Sequence, residues 1–233
     1  MSDKHISSQF DVELNTISTH VLEMGGLVEA QMQQAVHALI HLRMESAKQV
    51  IENEARINQM ELQIDHEIIS IIGRRQPTAR DLRFLMAISR TTQNLERAGD
   101  EVARMARMVK SIIESGSPRN LPSSELRLAA DLAAAMLRKT LDAFARLDTA
   151  MAVAIIKGDD EIDQEYNGFL RKLITYMMED PRTISTSLDL LFLAKSIERV
   201  GDHAKNIAEQ IIFIVKGEDV RHTSMDQVES AAR

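Results

Sequence analysis

Glu96 and Asp100 stand four residues apart, and Glu198 and Asp202 repeat that spacing inside a second copy of the same pentapeptide, "ERAGD" at 96–100 and "ERVGD" at 198–202. Carboxylates at i and i+4 on a helix project side by side and repel each other. A hard cation with oxygen ligands cancels the repulsion, so the pattern suits metal binding. Two carboxylates do not complete a coordination shell, so water, phosphate or another helix has to supply the rest; Glu61 and Asp65, also four apart, are candidate donors. His203, next to Asp202, could join a shell, although its counterpart in the first copy is Glu101. A ferritin-type di-iron centre would need a Glu-x-x-His motif, and none of the seven histidines has a glutamate three residues before it.

The rest of the pentapeptide raises its own question. A glycine inside a helix costs about 1 kcal/mol relative to alanine. Gly99 and Gly201 are both kept, which points to close approach by a neighbouring helix or a bound ion. Arg97 and Arg199 could hold the carboxylates in place, meet an acidic partner, or be solvated.

Positioning these groups falls to helices. Breakers at Gly73–Pro77, Gly116–Pro122, Lys157–Asp160 and Asp180–Pro181 separate intervals of helical periodicity, and a softer break near Glu45–Lys48 divides the first interval. Six helices are predicted. Thr78 with Asp81, and Ser123, read as N-caps, and Pro181 stands where a first turn tolerates proline. Residues 35–58 match 140–163 at an offset of 105, with identities at Ala38/Ala143, Leu42/Leu147, Ala47/Ala152, Ile51/Ile156 and Ile57/Ile162. These read as core positions of a duplicated helix pair. The third helix of each unit repeats at an offset of 102. The expected fold is all-α, two tandem three-helix bundles over 1–117 and 118–217, with a poorly ordered polar tail over 218–233.

In the third helix Leu95, Ala98, Val102, Met105, Val109 and Ile112 form an a/d seam, and Ile197, Val200, Ala204, Ile207, Ile211 and Ile214 do the same in the sixth. On that lettering Glu96 and Asp100 fall at b and f and face away from the seam, with Gly99 at its edge. An open surface metal site is expected.

Composition narrows the function. A formal charge of −7 without a basic cluster disfavours nucleic acid, and 3% aromatic residues leave no stacking platform. Without cysteine there is neither a disulfide scaffold nor a thiol nucleophile. No apolar run approaches the roughly 18 residues of a membrane span. A soluble cytoplasmic protein without membrane insertion is expected.

Two three-helix units, each with E-R-x-G-D on its third helix, resemble the PhoU family of phosphate-signalling regulators. The likeness extends over about 10–215, through "MGGLVEAQMQQAV", "ARINQMELQID", "DEIDQEY", "LERAGDEVARMA" and "IERVGDHAKNIAE". It implies a cytoplasmic, usually dimeric protein that represses phosphate-starvation genes and restrains uptake. Such proteins connect the ATPase subunit of the phosphate ABC transporter with a sensor histidine kinase. It also implies multinuclear clusters of manganese, magnesium, iron or zinc, held here by Glu96, Asp100, Glu198 and Asp202. The expected function is a non-catalytic adaptor, since no phosphate loop or nucleophile-base pair is recognisable. The competing reading is a metal-dependent phosphohydrolase at the same carboxylates.

Overall fold

The computed structural model describes residues 8–116 and 123–232. The chain folds as α1 (Ser8–His41), α2 (Met44–Arg75), α3 (Ala79–Glu114), α4 (Ser123–Arg146), α5 (Thr149–Glu179), a short 3-10 turn (Pro181–Thr183), α6 (Ile184–Lys216) and α7 (Met225–Ala232). Among the described residues there is no strand. Helices α1, α3, α6 and α4 touch in a closed ring, with α3 against α6 the most extensive contact. Helix α2 covers α1 and α3 on one side, and α5 covers α4 and α6 on the other. The two three-helix units thus share one continuous core. Both a/d seams are buried in it along their whole length.

Four expectations need correction. The first concerns Lys157–Asp160, which is not a break, because α5 runs through it. Helices α4 and α5 part instead at Leu147, in the left-handed region with φ 51°, and Asp148, whose carboxylate accepts a hydrogen bond from Met151 N at 2.9 Å as N-cap. The first unit turns the same way at Leu42, φ 48°, just ahead of the expected break. Leu42 and Leu147 are therefore exposed hinge residues between helices, not core, while Ala38/Ala143, Ala47/Ala152 and Ile57/Ile162 are buried.

The tail is the second correction, since α7 packs against α5 and α6. Val220 and Val228 bury their side chains, and Lys157 pairs with Glu229. Met225, Ala231 and Ala232 pack against the core beside them, so a few apolar residues in a polar stretch dock it. This makes seven α-helices among the described residues rather than six, the third correction.

The fourth concerns a cap. Thr78 takes the N-cap position of α3 without a capping side-chain hydrogen bond. Pro181 does open the turn before α6, with the Asp180 carboxylate accepting from Arg182 N at 3.0 Å. Of the expected break at Gly116–Pro122, residues 117–122 lie outside the described residues, as does the Ser123 side chain.

Candidate functional site

Gly99 and Gly201 are buried where α2 crosses α3 and α5 crosses α6. A Cβ on Gly99 would stand 2.7 Å from Ile57 Cδ1, and one on Gly201 would stand 2.8 Å from Ile162 Cδ1. Ile57 and Ile162 are themselves a repeated pair, so glycine and isoleucine form one device used twice. Of the two reasons for the glycine, the neighbouring helix is the operative one.

That close crossing sets the acids of α2 and α5 against the pentapeptides. Glu96, Asp100, Glu198 and Asp202 are consequently half-buried rather than turned out to solvent, and the Glu198 side chain is only 13% exposed. Heptad letters describe the seam toward one neighbour. Each of these helices has a second neighbour on its b, e and f side.

The first patch gathers Glu54, Glu61, Asp65, Glu96 and Asp100. Burial raises the Asp100 carboxyl above the usual carboxylate range, and Glu54 raises it further by its charge and by a hydrogen bond that needs one proton between the two groups. Glu96 is raised by burial and then by Asp100 and Glu61; Glu61 is raised by burial and then by Asp65 and Asp100. Arg107 donates to Glu54 at 2.8 Å from the rim.

The second patch gathers Asp159, Asp163, Glu198 and Asp202. Burial, then the charges of Glu198, Asp159 and Asp163, push Asp202 up to about 6. Asp163 is raised by burial and by Asp159 and Glu198. Here two ammonium groups intervene. Lys205 donates to buried Asp159 at 2.7 Å, and Lys195 lies 2.6 Å from the Glu198 carboxylate. At the 102 offset their counterparts in the first patch are Ala103 and Gln93. Among the described residues, no three His, Asp or Glu side chains converge as a preformed ligand set in either patch.

Three acids of the second helices escaped the sequence reading, Asp163 and the aligned pair Glu54 and Asp159. The 105 offset pairs them directly, in the stretch that reveals the repeat. The signal was an aligned acid rather than an identity.

Between the patches, α3, α6 and the segment 221–223 ahead of α7 line a groove of about 890 Å³. Glu101, 5% exposed, sits in its wall and accepts from Arg199 Nη1 at 3.0 Å and Ser196 Oγ at 2.8 Å. Arg199 thus meets an acidic partner on the other unit rather than holding its own pentapeptide's carboxylates. His203 bonds Asn94 Oδ1 through Nδ1 at 3.1 Å, and burial, reinforced by nearby Arg97, pushes its imidazole down to about 4. The ring is neutral at physiological pH.

The PhoU domain family matches residues 21–109 and 126–211 of this chain. The chain is 48% identical, over its full length and 99% of the other's, to a phosphate-specific transport system accessory protein PhoU homolog of a Burkholderia species. It is 45% identical to the phosphate-specific transport system accessory protein PhoU of Escherichia coli K12, covering 97% of this chain and 93% of that one. The crystal structure of PhoU from Pseudomonas aeruginosa superposes with a TM-score of 0.87 at 44% identity, covering 90% of this chain and 100% of that one. The phosphate transport system regulatory protein PhoU from Streptococcus pneumoniae superposes with a TM-score of 0.83 at 29% identity, covering 91% of this chain and 99% of that one. With two matched repeats, end-to-end relatives and a shared architecture, the chain belongs to the PhoU domain family.

Proposed function

We propose that this protein is a non-catalytic regulator of phosphate transport that acts in the cytoplasm, as a homodimer, to repress phosphate-starvation signalling and uptake when phosphate is plentiful. It works as an adaptor between the ATPase subunit of the phosphate ABC transporter and a sensor histidine kinase. The observation that carries the reading is identity of 45 to 48% along nearly the whole chain to proteins named as phosphate-specific transport system accessory proteins. Among the described residues no helix is long and apolar enough to cross a membrane, in keeping with action from outside the bilayer.

The carboxylate patches suit metal ions by their donor chemistry. They are all-oxygen, half-buried and mutually repelling, so that burial and neighbouring charge already favour protons on them. Magnesium, manganese, iron or zinc would be held by Glu96 and Asp100 with Glu54 and Glu61, and by Glu198 and Asp202 with Asp159 and Asp163. A bound cation would supply charge cancellation there. The chain's own part is to clamp α2 to α3 and α5 to α6 through the glycine-isoleucine contacts, which keeps the carboxylates of each pair together.

Deleting the gene in its own host and measuring alkaline phosphatase activity at high phosphate tests the regulatory reading. Loss of repression is expected, and unchanged repression overturns it. Complementation with Glu96→Ala/Asp100→Ala and with Glu198→Ala/Asp202→Ala, alongside elemental analysis of the purified proteins, tests the metal. Protein that stays metal-free after incubation with Mn, Mg, Fe and Zn removes that part of the reading.

A further inference from the structure

The groove between α3 and α6 breaks the internal symmetry at one charged position. Arg199 of α6 reaches across to Glu101 of α3, with Ser196 as the second donor to the same carboxylate. The 102 offset maps Arg199 to Arg97, Glu101 to His203 and Ser196 to Asn94. Asn94 does hold His203, so the mirrored hydrogen bond is kept. The mirrored ion pair is lost, because an imidazole stands where the other half has a carboxylate. Among the described residues Arg97 makes no hydrogen bond or ion pair, and it opens into the groove. The other cations lining the groove are engaged: Arg104 and Arg199 with Glu101, Lys205 with Asp159, Arg90 and Arg221 with Asp219.

The hydrogen-bond network also orients the imidazole. Asn94 Nδ2 donates to the Arg90 carbonyl at 2.8 Å, which leaves Asn94 Oδ1 as an acceptor, and Asn206 Nδ2 donates to that same oxygen at 3.1 Å. His203 must then donate to Oδ1 from Nδ1, and in the neutral ring Nε2 keeps a lone pair. The groove therefore offers a guanidinium donor at Arg97 together with acceptors at His203 Nε2, Asp100 and Asp202.

We propose that this groove binds a protonated tetrahedral oxyanion, inorganic phosphate in preference to sulfate, with Arg97 as the anion's donor and His203 as acceptor of its P–O–H proton. At neutral pH phosphate still carries a proton that it can donate, whereas sulfate carries none. Sulfate oxygens would meet the Asp100 and Asp202 carboxylates and the Nε2 lone pair with nothing to share. A phosphate hydroxyl turns the one at His203 Nε2 into a hydrogen bond, which sulfate cannot do.

Equilibrium dialysis of the full chain with radiolabelled inorganic phosphate, once after chelator treatment and once with Mn²⁺ added, tests this. Saturable binding to the chelated protein is expected, weakened at least about tenfold by Arg97→Gln. His203→Glu, which gives Arg97 the carboxylate that Arg199 already has, should weaken it at least as much. Excess sulfate should compete about tenfold less well than phosphate. Circular dichroism establishes that each variant folds, and if His203→Glu does not, Arg97→Gln decides alone. The proposal is overturned if chelated protein binds no phosphate, if Arg97→Gln binds like the parent, or if sulfate competes equally. Binding that depends on Mn²⁺ and ignores Arg97 assigns the anion to the metal and overturns it too.

Discussion

The two halves of this molecule share one backbone design and differ in how they neutralise it. In both, a glycine on the third helix admits an isoleucine of the second, and acids from the two helices collect beside that contact. The second half answers its acids with Lys195 and Lys205; the first has Gln93 and Ala103 at those positions and relies on Arg107 at the rim. Across the groove the imbalance reverses. The first half supplies Glu101 for the second half's Arg199, while the second supplies only His203 for the first half's Arg97. Duplication fixed the geometry, and the charges diverged on top of it.

The largest expected effect breaks that cross-groove pairing. Glu101→Ala leaves Arg199 and Ser196 without their shared acceptor and should cost about 2 to 3 kcal/mol of stability. The same change at its counterpart, His203→Ala, loses one hydrogen bond and should cost about 1 kcal/mol. Urea titrations of both variants measure the gap, and equal costs would mean the asymmetry has no energetic content. Next comes the shared device. Gly99→Val and Gly201→Val drive branched side chains into Ile57 and Ile162 and should each cost about 2 kcal/mol. Gly158→Ala, in open space on α5, should gain about 0.5 to 1 kcal/mol from helix propensity. A marked difference between the two valine variants would show that the contacts are not equivalent.

Protonation gives a third, smaller effect. Asp202 has a folded-state pKa of about 6, above the roughly 3.9 of an unfolded aspartate, so the folded state holds the extra proton between those values. Its contribution to stability therefore falls as pH rises from 4 through 6, and at pH 7.5 the metal-free protein carries the full penalty. Asp202→Asn should stabilise chelated protein by about 1 to 2 kcal/mol at pH 7.5, after allowance for solvent screening, with the gain gone near pH 4. Thermal melts at the two pH values measure it, and the difference reports Asp202 together with its coupling to Glu198, Asp159 and Asp163.

These comparisons depend on residues that the sequence displayed unevenly. Both a/d seams were legible because apolar spacing reports burial directly, and the pentapeptides stood out because they outlasted the core around them. The Lys157–Asp160 stretch misled for a physical reason. Gly158, Asp159 and Asp160 have the composition of a turn, yet Asp159 is a buried acid on a continuous helix, neutralised by a lysine 46 residues away. No composition carries that distant partner. The hinge at Leu147 was hidden likewise, since leucine does not advertise a positive φ, and Val228 docks a tail whose average polarity concealed it. Heptad lettering placed Glu96 and Asp100 relative to one neighbour, and the second neighbour made them a patch.

The smallest effect bears most directly on how far the halves have diverged. Lys205 donates to Asp159, and burial opposes its charge while that bond sustains it. An ammonium there competes with a cation for the same carboxylate oxygen. Lys205→Ala installs the residue that the first half has at position 103, and so converts the second patch toward the first. Cation affinity at the second patch should rise several-fold, measured by Mn²⁺ titration of Glu96→Ala/Asp100→Ala protein, in which the first patch is disabled. Stability without metal should fall by about 1 to 2 kcal/mol, because Asp159 stays buried without its donor while the lysine itself is about one-third exposed and screened. If Mn²⁺ affinity is unchanged, the lysines are not stand-ins for a metal, and the two patches differ in charge without differing in what they hold.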